Sequence, residues 1–354
     1  MEKKTALIGM SGGVDSSVAA FLTMQEGFSC IGGTMKLHDR SCGGSDDVGD
    51  ARAVCNRLGI PHEVFDFREA FSNNVMDPFV SCYESGLTPN PCICCNRTMK
   101  FGAMLDRALE LGCDCVVSGH YARIRFDEAT GRYLLYKAAD NTKDQTYFLA
   151  CLSQQQLAHI RFPLGELTKD AVRAIAQEQG FGNAGKKDSQ DICFVPGGDY
   201  VAFMEQHTGK AYPAGAYLDL SGKVIGTHQG AVCYTIGQRK GLGIALGAPA
   251  YVCAKNMDAN TVTLGPNDAL FTNALRAENM TFFPFPALRS PMAVTVKVRH
   301  SQHEQSATVY PDENGTVRVI FDEKQRAVTP GQAVVLYQGD LVIGGGTITD
   351  AYNI

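Results

Sequence analysis

The fold is decided by a short glycine- and serine-rich stretch, Gly9-Met10-Ser11-Gly12-Gly13-Val14-Asp15-Ser16-Ser17. It lies between an apolar run that begins at Thr5 and a helical pattern that continues to Gln25. At such a junction, unpaired backbone N–H groups and the helix dipole favour an anion. A glycine turn with a serine N-cap explains one Gly and one Ser, but not the whole stretch. We therefore predict a phosphate-binding loop at the carboxyl end of the first strand.

Two residue types refine the prediction of what this loop binds. No Lys follows the glycines, so the stretch is not a Walker A loop. Asp15 is an acceptor that would repel phosphate unless it holds a cation or orients the loop. Carboxylate oxygens are ligands of Mg²⁺, so the sequence predicts Mg²⁺ beside the bound phosphates.

Working outward from the loop, strand-like runs alternate with helical patterns through the first half of the chain. The runs begin at Thr5, Phe28, His62 and Cys115, and helical patterns follow or separate them, the last from about Asn96 to Leu111. This alternation predicts an α/β fold with a doubly wound parallel sheet covered on both faces. Ligands of such sheets bind at the carboxyl ends of the strands.

The second half of the chain has a different pattern. Gly, Pro and Asn punctuate short β-type runs from Ala211 onward, and after Ala293 these runs become regular, which predicts a small barrel or sandwich. We therefore expect a catalytic domain over 1–200, a small, mostly β central domain over 208–275 and a C-terminal β domain over 280–354.

Composition limits the classes of function. The 354 residues carry 32 basic and 37 acidic side chains, so the net charge of −5 excludes a protein that coats nucleic acid by bulk attraction. No stretch reaches the roughly 20 apolar residues of a membrane span. Thirteen cysteines without an export signal indicate a reducing compartment, so we expect a cytoplasmic protein with no membrane partner.

Most of these cysteines lie in apolar runs, where an inert buried thiol is expected. Cys95 differs, because Pro-punctuated turn residues deliver it to the predicted start of a helix, a position that lowers a thiol pKa. Cys193 follows the exposed pair Lys186-Lys187, but on its own it would pass for a core thiol beside Ile192 and Phe194. Residue chemistry alone therefore favours Cys95 as a nucleophile.

Two levels of resemblance add to this interpretation. The loop resembles the SGGxDS signature of the PP-loop ATP pyrophosphatases, which are adenine nucleotide α-hydrolase-like proteins that adenylate a substrate. Asn90-Pro91-x-x-x-Cys95-Asn96 and Asp188-Ser189-x-x-Ile192-Cys193-Phe194 are similar to signatures of the tRNA-specific 2-thiouridylase (MnmA) family. Further matching motifs are Ser118-Gly119-His120-Tyr121-Ala122, Lys143-Asp144-Gln145, the stretch Tyr234 to Gly243, Val298-Arg299 and Pro330-Gly331-Gln332.

The resemblance implies ATP-dependent 2-thiolation of the wobble uridine of tRNA, with a β-barrel as the C-terminal domain. It implies that Cys193 carries a persulfide and that Cys95 is the partner nucleophile, with sulfur supplied by a cysteine desulfurase or a sulfur-relay protein. The expected partner is the tRNA anticodon loop, with a flipped uridine. The implied ATP-binding residues are Gly9, Met10, Ser11, Gly12, Gly13, Val14, Asp15, Ser16, Met35 and Gly119. Asn90, Pro91 and Cys92 would face the target base, and the implied tRNA-binding residues are His120, Lys143, Asp144, Gln145, Arg299, His300 and Gln332.

Alternatives stay open at this point. Many members of the family have Asp where Cys92 stands, and the resulting Cys92-x-x-Cys95, with Cys193, offers three thiolates for an iron–sulfur cluster. A PP-loop amidotransferase or ligase that adenylates a small metabolite would share the phosphate loop without needing the paired cysteines. A non-catalytic tRNA-binding protein would keep the C-terminal β domain and release no pyrophosphate. His300 and His303, three residues apart, would lie on opposite faces of a strand, which argues against a metal pair.

Overall fold

A computed structural model describes residues 3–38, 47–183 and 192–354 of the chain. The motif residues Asp188 and Ser189 and the pair Lys186-Lys187 lie outside these ranges. The strands of the first 183 residues are β1 Thr5–Gly9, β2 Ser29–Lys36, β3 His62–Asp66, β4 Cys115–Val117, β5 Arg123–Asp127, β6 Arg132–Tyr136 and β7 Ile160–Arg161. Five of them form a parallel sheet in the order β3-β2-β1-β4-β7, which confirms the predicted α/β fold.

The central strand β1 is apolar throughout because both faces of the sheet are covered. Leu7 belongs to an apolar cluster on one face, whereas Ala6 and Ile8 belong to a cluster on the other, and all three are fully buried. Successive residues of a strand point to opposite faces, so a doubly covered strand reads as a continuous apolar run. This double burial places the end of β1, and the loop after it, at the carboxyl edge of the sheet.

Helices of several kinds connect the strands. The α-helices are Val14–Gln25, Asp47–Leu58, Arg68–Phe71, Asp77–Glu84, Pro91–Cys95, Met104–Glu110, Thr146–Leu149, Gln154–Ala158, Lys169–Glu178 and Tyr200–Thr208. Two segments are π-helical, Ser72–Met76 and Asn96–Ala103, and short 3₁₀ turns are Pro196–Gly198, Ala231–Cys233, Asn267–Leu270 and Glu313–Gly315. The helical region predicted from Asn96 to Leu111 therefore begins earlier, at Pro91, and changes its winding twice.

A small central sheet follows the parallel one. Its strands are β8 Gly215–Leu218, β9 Val224–His228, β10 Tyr251–Asn256 and β11 Thr261–Gly265, in the order β10-β11-β8-β9. Its own apolar cluster is built around the fully buried Tyr217. The hydroxyl of Tyr217 donates a hydrogen bond to the carbonyl oxygen of Leu242 at 2.8 Å, within the Gly-rich stretch that the sequence singled out.

The C-terminal strands close into a barrel rather than a sandwich. They are β12 Phe271–Phe282, β13 Met292–Lys297, β14 Gln305–Pro311, β15 Val317–Arg326, β16 Ala333–Gln338 and β17 Leu341–Tyr352. The order β12-β15-β14-β13-β16-β17 is closed by the pairing of β12 with β17. The hairpin β5-β6 from the N-terminal part of the chain extends this sheet through β17, so the barrel is tied directly to the part of the chain that carries the parallel sheet.

Candidate active site

The predicted phosphate loop lies between β1 and the helix Val14–Gln25, whose N-cap is Gly13. The hydroxyls of Ser16 and Ser17 both donate to the carbonyl oxygen of Gly13, at 2.9 and 3.0 Å. The backbone N–H of Ser11 donates to the hydroxyl of Ser16 at 3.3 Å, which curls the loop over the helix end. Because the first N–H groups of a helix have no intrahelical acceptor, this loop offers donors to an anion.

The carboxylate of Asp15 is held by protein cations and donors. The ammonium of Lys169 lies 2.8 Å from both of its oxygens, and the hydroxyl of Tyr121 donates to Oδ1 at 2.8 Å. The Lys169 side chain is only 6% exposed, compared with 29% for Asp15. Of the two roles the sequence left to Asp15, the structure therefore favours orientation of the loop. A Mg²⁺ site on Asp15 does not fit these contacts, because Lys169 already neutralises both oxygens.

The strand β4 brings a second segment to the same edge of the sheet. A Cβ atom on Gly119 would come within 2.7 Å of the Asp15 backbone carbon, so only glycine allows this close approach. The next residue, His120, has its Nδ1 2.6 Å from the Ser118 hydroxyl and its ring against Phe101, with centroids 5.6 Å apart. The candidate ATP residue Met35 lies near the end of β2 and packs against the first apolar cluster.

The protonation state of His120 limits what it can contribute. Burial, assisted by the nearby ammonium of Lys100, holds the pKa of His120 well below its ordinary value. The ring is therefore neutral at physiological pH, and it is hydrogen-bonded to Ser118 just after the end of β4. His120 also connects the phosphate loop to Phe101, and hence to the helical segment that carries Cys95.

The helix that carries Cys95 begins at Pro91, with Asn90 as its N-cap, so Cys95 lies one turn inside it. Proline is favourable at the first helical position, because its fixed φ suits a helix and its missing N–H is not needed there. Cys95 is only 8% exposed, and burial raises its pKa to about 11. The sequence-based expectation of a lowered pKa for Cys95 is therefore wrong, since the helix starts four residues earlier than the cysteine.

The neighbouring cysteines differ in exposure and direction. Cys92 is exposed to solvent, but the protein around its thiol partly removes water and so raises its pKa. The ammonium of Lys100 partly offsets this rise. Lys100 acts in the same direction on Cys95. Cys94 points elsewhere, and its sulfur donates to the carbonyl oxygen of Asn74 at 2.9 Å. Lys100 thus acts on both Cys92 and Cys95, whereas the thiol of Cys94 points toward Asn74.

Cys95 and the residues that flank Cys193 pack in the same apolar group. Cys95 belongs to a buried apolar group, here termed the cysteine cluster, which also contains Phe194 and Val195 and against which Ile192 packs. Cys193 is exposed between these residues. The remaining buried members of the cluster are Phe71, Val75, Phe79, Val80, Tyr83, Met99, Met204 and Val232. The chain around Cys193 is therefore anchored on both sides in the cluster that contains Cys95.

The C-terminal barrel clamps the loop that leads into the cysteine helix. The side-chain amide of Gln332 donates to the carbonyl oxygens of Thr88 at 2.9 Å and Pro89 at 3.3 Å, and the N–H of Thr88 donates to the carbonyl oxygen of Pro330 at 3.0 Å. Gly331 has a φ of +89°, and a Cβ there would lie 2.8 Å from the Thr88 nitrogen. The motif Pro330-Gly331-Gln332 thus supports the three residues predicted to face the target base.

Several other candidate tRNA residues meet beside the cysteine helix. The ring of His300 lies tilted against Phe148 with centroids 4.4 Å apart, and it donates a hydrogen bond to the backbone carbonyl of Asp144. The carbonyl oxygen of Phe148 accepts a hydrogen bond from the Asn96 amide at 3.0 Å, directly after Cys95. Burial, then the charge of Lys297, lowers the pKa of His300. The motif Lys143-Asp144-Gln145 and the barrel therefore converge on the cysteine helix.

Three of these candidates use their side chains within the protein. Gln145 accepts the N–H of Tyr121 at 2.9 Å, and Asp144 accepts the hydroxyl of Thr146 at 2.6 Å. Arg299 donates to the carbonyl oxygen of Ala327 at 2.7 Å. These bonds hold the motifs in place, and a tRNA role for the same side chains stays a prediction.

Comparison with known proteins identifies the family. The tRNA methyl transferase HUP domain matches residues 4–197, the tRNA methyl transferase PRC-barrel domain matches 201–266, and the aminomethyltransferase beta-barrel domain matches 272–348. A tRNA-specific 2-thiouridylase MnmA of Acetivibrio thermocellus is 48% identical over 98% of this chain and 100% of its own. The chain belongs to the MnmA family. Its MnmA relative in Clostridioides difficile is 46% identical over 98% of both chains.

Among solved structures, a 4-thiouridine synthetase–RNA complex with bound ATP superposes with a TM-score of 0.36 and 16% identity, over 58% of this chain and 50% of that chain. This similarity is too low to indicate the function of the chain. Within the ranges that the structure describes, no helix is long and apolar enough to cross a membrane.

Two residues that contact the phosphate loop of this MnmA-family chain, Lys169 and Asn183, were not predicted from the sequence. Lys169 stands in the first turn of the helix Lys169–Glu178, where the helix dipole disfavours a cation. A lysine at this unfavourable position indicates that an acidic partner, here Asp15, compensates its charge. Asn183 donates to the Gly12 carbonyl oxygen and the Ser17 hydroxyl, both at 3.0 Å, and no pattern in the sequence indicates this contact.

The iron–sulfur alternative finds no support in the arrangement of the thiols. In the described part of the chain, which includes Cys92, Cys95 and Cys193, no group of three or more His, Cys, Asp or Glu side chains is placed to hold a metal ion. Cys92, Cys95 and Cys193 are free cysteines in this structure.

Proposed function

We propose that this protein acts in the cytoplasm as an ATP-dependent enzyme that replaces the 2-oxygen of the wobble uridine of tRNA with sulfur. The observation that carries the proposal is a phosphate loop linked to the cysteine helix through Gly119, His120 and Phe101. The name of the MnmA relatives gives the substrate class and the product. A PP-loop ligase for a small metabolite would need the loop, but it would have no use for two cysteine segments anchored in one cluster.

The first step is adenylation of the uridine. The 2-oxygen attacks the α-phosphorus of ATP, pyrophosphate leaves, and the bound adenylate turns a poor leaving group into a good one. The backbone donors of the loop stabilise the negative charge of the transferring phosphate. Lys169 neutralises Asp15, so the loop accepts an anion without repulsion from its own carboxylate. Mg²⁺ enters as part of the substrate, because this ion keeps much of its water and is commonly held by nucleotide phosphates.

The second step transfers sulfur. The terminal sulfur of a persulfide on Cys193 attacks C2 of the uridine, and AMP leaves with the former 2-oxygen. Cys95 then attacks Sγ of Cys193, which breaks the bond to the transferred sulfur, frees the thiocarbonyl and forms a Cys95–Cys193 disulfide. Since burial raises the pKa of Cys95, Lys100 is the cation beside it that favours the thiolate when the attack occurs.

Recognition of the tRNA falls to the surface beside the cysteine helix. We assign phosphate and base contacts in the anticodon loop to His120, Lys143, Asp144, Gln145, Arg299, His300 and Gln332, and we place the flipped uridine against Asn90, Pro91 and Cys92. The convergence of the barrel and the motif Lys143-Asp144-Gln145 on this helix supports the assignment. A cysteine desulfurase or sulfur-relay protein supplies the persulfide at the exposed Cys193.

The test combines the protein with tRNA, ATP, Mg²⁺, a cysteine desulfurase and ³⁵S-labelled cysteine, followed by nucleoside analysis. We expect label in 2-thiouridine and release of pyrophosphate. Cys193→Ser should abolish labelling while tRNA-dependent pyrophosphate release continues. Cys253→Ser, which changes a cysteine of the central sheet, is the matched control and should label normally.

Three results would count against the proposal in different ways. Folded, ATP-binding protein that labels no uridine would rule out the thiolation activity. Pyrophosphate release that depends on ammonia or an amino acid instead of tRNA would favour the ligase alternative. Binding of tRNA without any pyrophosphate release would favour a non-catalytic protein. Full activity of Cys193→Ser would remove only this residue from the mechanism.

A further inference from the structure

Cys92 and Cys95 form a pair that the proposed transfer reaction does not use as a pair. They are three residues apart in the helix Pro91–Cys95, and residues at this spacing are neighbours on a helix surface. Cys92 is exposed, whereas Cys95 is buried. Their thiols interact electrostatically with each other and with the same ammonium, that of Lys100. One thiol is thus open to solvent and the other is buried.

The proposed function creates a need for such a pair. Each transfer leaves a disulfide between Cys95 and Cys193, and Cys193 cannot accept another sulfur until that bond is broken. Cys95 is 8% exposed, so a reductant from solution would have to attack the exposed Cys193, which would then carry the reductant in place of a new sulfur. The thiol of Cys94, although next in sequence, is directed to the carbonyl oxygen of Asn74.

We propose that Cys92 is the resolving thiol of the sulfur-transfer cycle, an inference that rests on the proposed function. Cys92 attacks Sγ of Cys95 in the Cys95–Cys193 disulfide. The new Cys92–Cys95 bond forms as the old bond breaks, and Cys193 leaves as a thiolate that takes up the proton lost by Cys92. No net oxidation occurs in this exchange. A dithiol reductant then attacks the exposed sulfur of Cys92 and returns both residues to thiols.

The proposal explains why the pair is divided between solvent and interior. Both disulfides join the buried Cys95 to an exposed sulfur, but the exchange moves the bond from Cys193 to Cys92, so the reductant acts on Cys92 and not on the sulfur carrier. Lys100 stabilises whichever of the two sulfurs carries negative charge during the exchange. Cys193 is returned to the surface as a thiol, where a sulfur donor can load it again.

The first experiment follows the exchange without tRNA, so it does not depend on the proposed activity. The full-length protein is oxidised with one equivalent of diamide, remaining thiols are alkylated, and disulfides are mapped by peptide mass spectrometry. We expect mainly Cys92–Cys95 in the wild type and Cys95–Cys193 in Cys92→Ser. Cys94→Ser is the control and should resemble the wild type. Retention of Cys95–Cys193 alone in the wild type would overturn the proposal.

The second experiment measures turnover with dithiothreitol as the only reductant. Cys92→Ser should give a burst of about one sulfur per enzyme and then turn over about tenfold more slowly than its own burst predicts, with Cys95–Cys193 accumulating. A phosphine reductant, which needs no thiol exchange, should relieve the stall. Steady turnover of Cys92→Ser without accumulated disulfide would overturn the role of Cys92. A wild type that labels no uridine would instead refute the proposed function, while the mapping experiment still decides the exchange.

Discussion

Replacing Lys169 with methionine should destabilise the phosphate loop by about 3 kcal/mol, because it leaves the carboxylate of Asp15 without its cation. The Lys169 ammonium is 2.8 Å from both Asp15 oxygens, and its side chain is 6% exposed. Removing one partner of a buried ion pair costs about 3–5 kcal/mol. Asp15 keeps some access to water and the hydroxyl of Tyr121, so the lower end applies, a factor of about 100 in the local opening equilibrium.

Hydrogen exchange of the amides from Met10 to Ser17 measures this local free energy directly. The double variant Asp15→Asn, Lys169→Met should recover about 2 kcal/mol of the loss, since no unpaired charge remains. Lys210→Met is the control, because its 2.7 Å pair with Glu84 is exposed and should matter by less than about 1 kcal/mol. Additive losses in the double variant, or a Lys169→Met effect no larger than the control, would refute the reasoning.

Three further perturbations test other parts of the site. Gly119→Ala should lower the affinity for ATP, measured by calorimetry, by at least about tenfold, because the added Cβ meets the Asp15 backbone at 2.7 Å. Gly182→Ala, which adds a Cβ in open space, is the control and should not change the affinity. Equal affinities of the two variants would contradict the packing argument. Gln332→Ala should lower the local stability of the loop before the cysteine helix by about 1 kcal/mol and speed hydrogen exchange of its backbone amides. Unchanged exchange there would show that the Gln332 side chain does not hold the loop. The alkylation rate of Cys95 should rise about tenfold per pH unit up to about pH 11, as its raised pKa requires, and a plateau near pH 9 would contradict that pKa.

The phosphate loop and the sheet around it were predictable because their signals are local. A strand buried on both faces is a continuous apolar run, and β1 shows that run immediately before the glycines. The strand β7 was missed because two residues, Ile160 and Arg161, are too short to carry a periodic pattern. The strand β12 was missed because it is interrupted at Asn279, which has a φ of +53°, and because its pairing with β17 spans a long stretch of chain.

The chemistry of individual side chains was less predictable than the fold, since it depends on packing between distant segments. Cys95 was expected to be a reactive thiol from its flanking residues, but the helix begins at Pro91 and the cysteine cluster buries it. The sequence left Asp15 either to hold a cation or to orient the loop, and the contact that favours orientation comes from Lys169, 154 residues later in the chain. The burial of Cys95 and the ion pair of Asp15 both depend on such distant contacts, which local sequence patterns do not reveal.

The phosphate loop and the cysteine helix also differ in how many parts of the chain contact them. Contacts within the first domain shape the phosphate loop, from Tyr121 to Lys169. The cysteine cluster includes Val232, near the start of the central domain, and the loop before the cysteine helix is clamped by Gln332 of the barrel. A change in the barrel that releases this clamp should therefore impair sulfur transfer while ATP binding continues. ATP binding would depend on contacts within one domain, whereas placing the uridine and transferring sulfur to it would require all three.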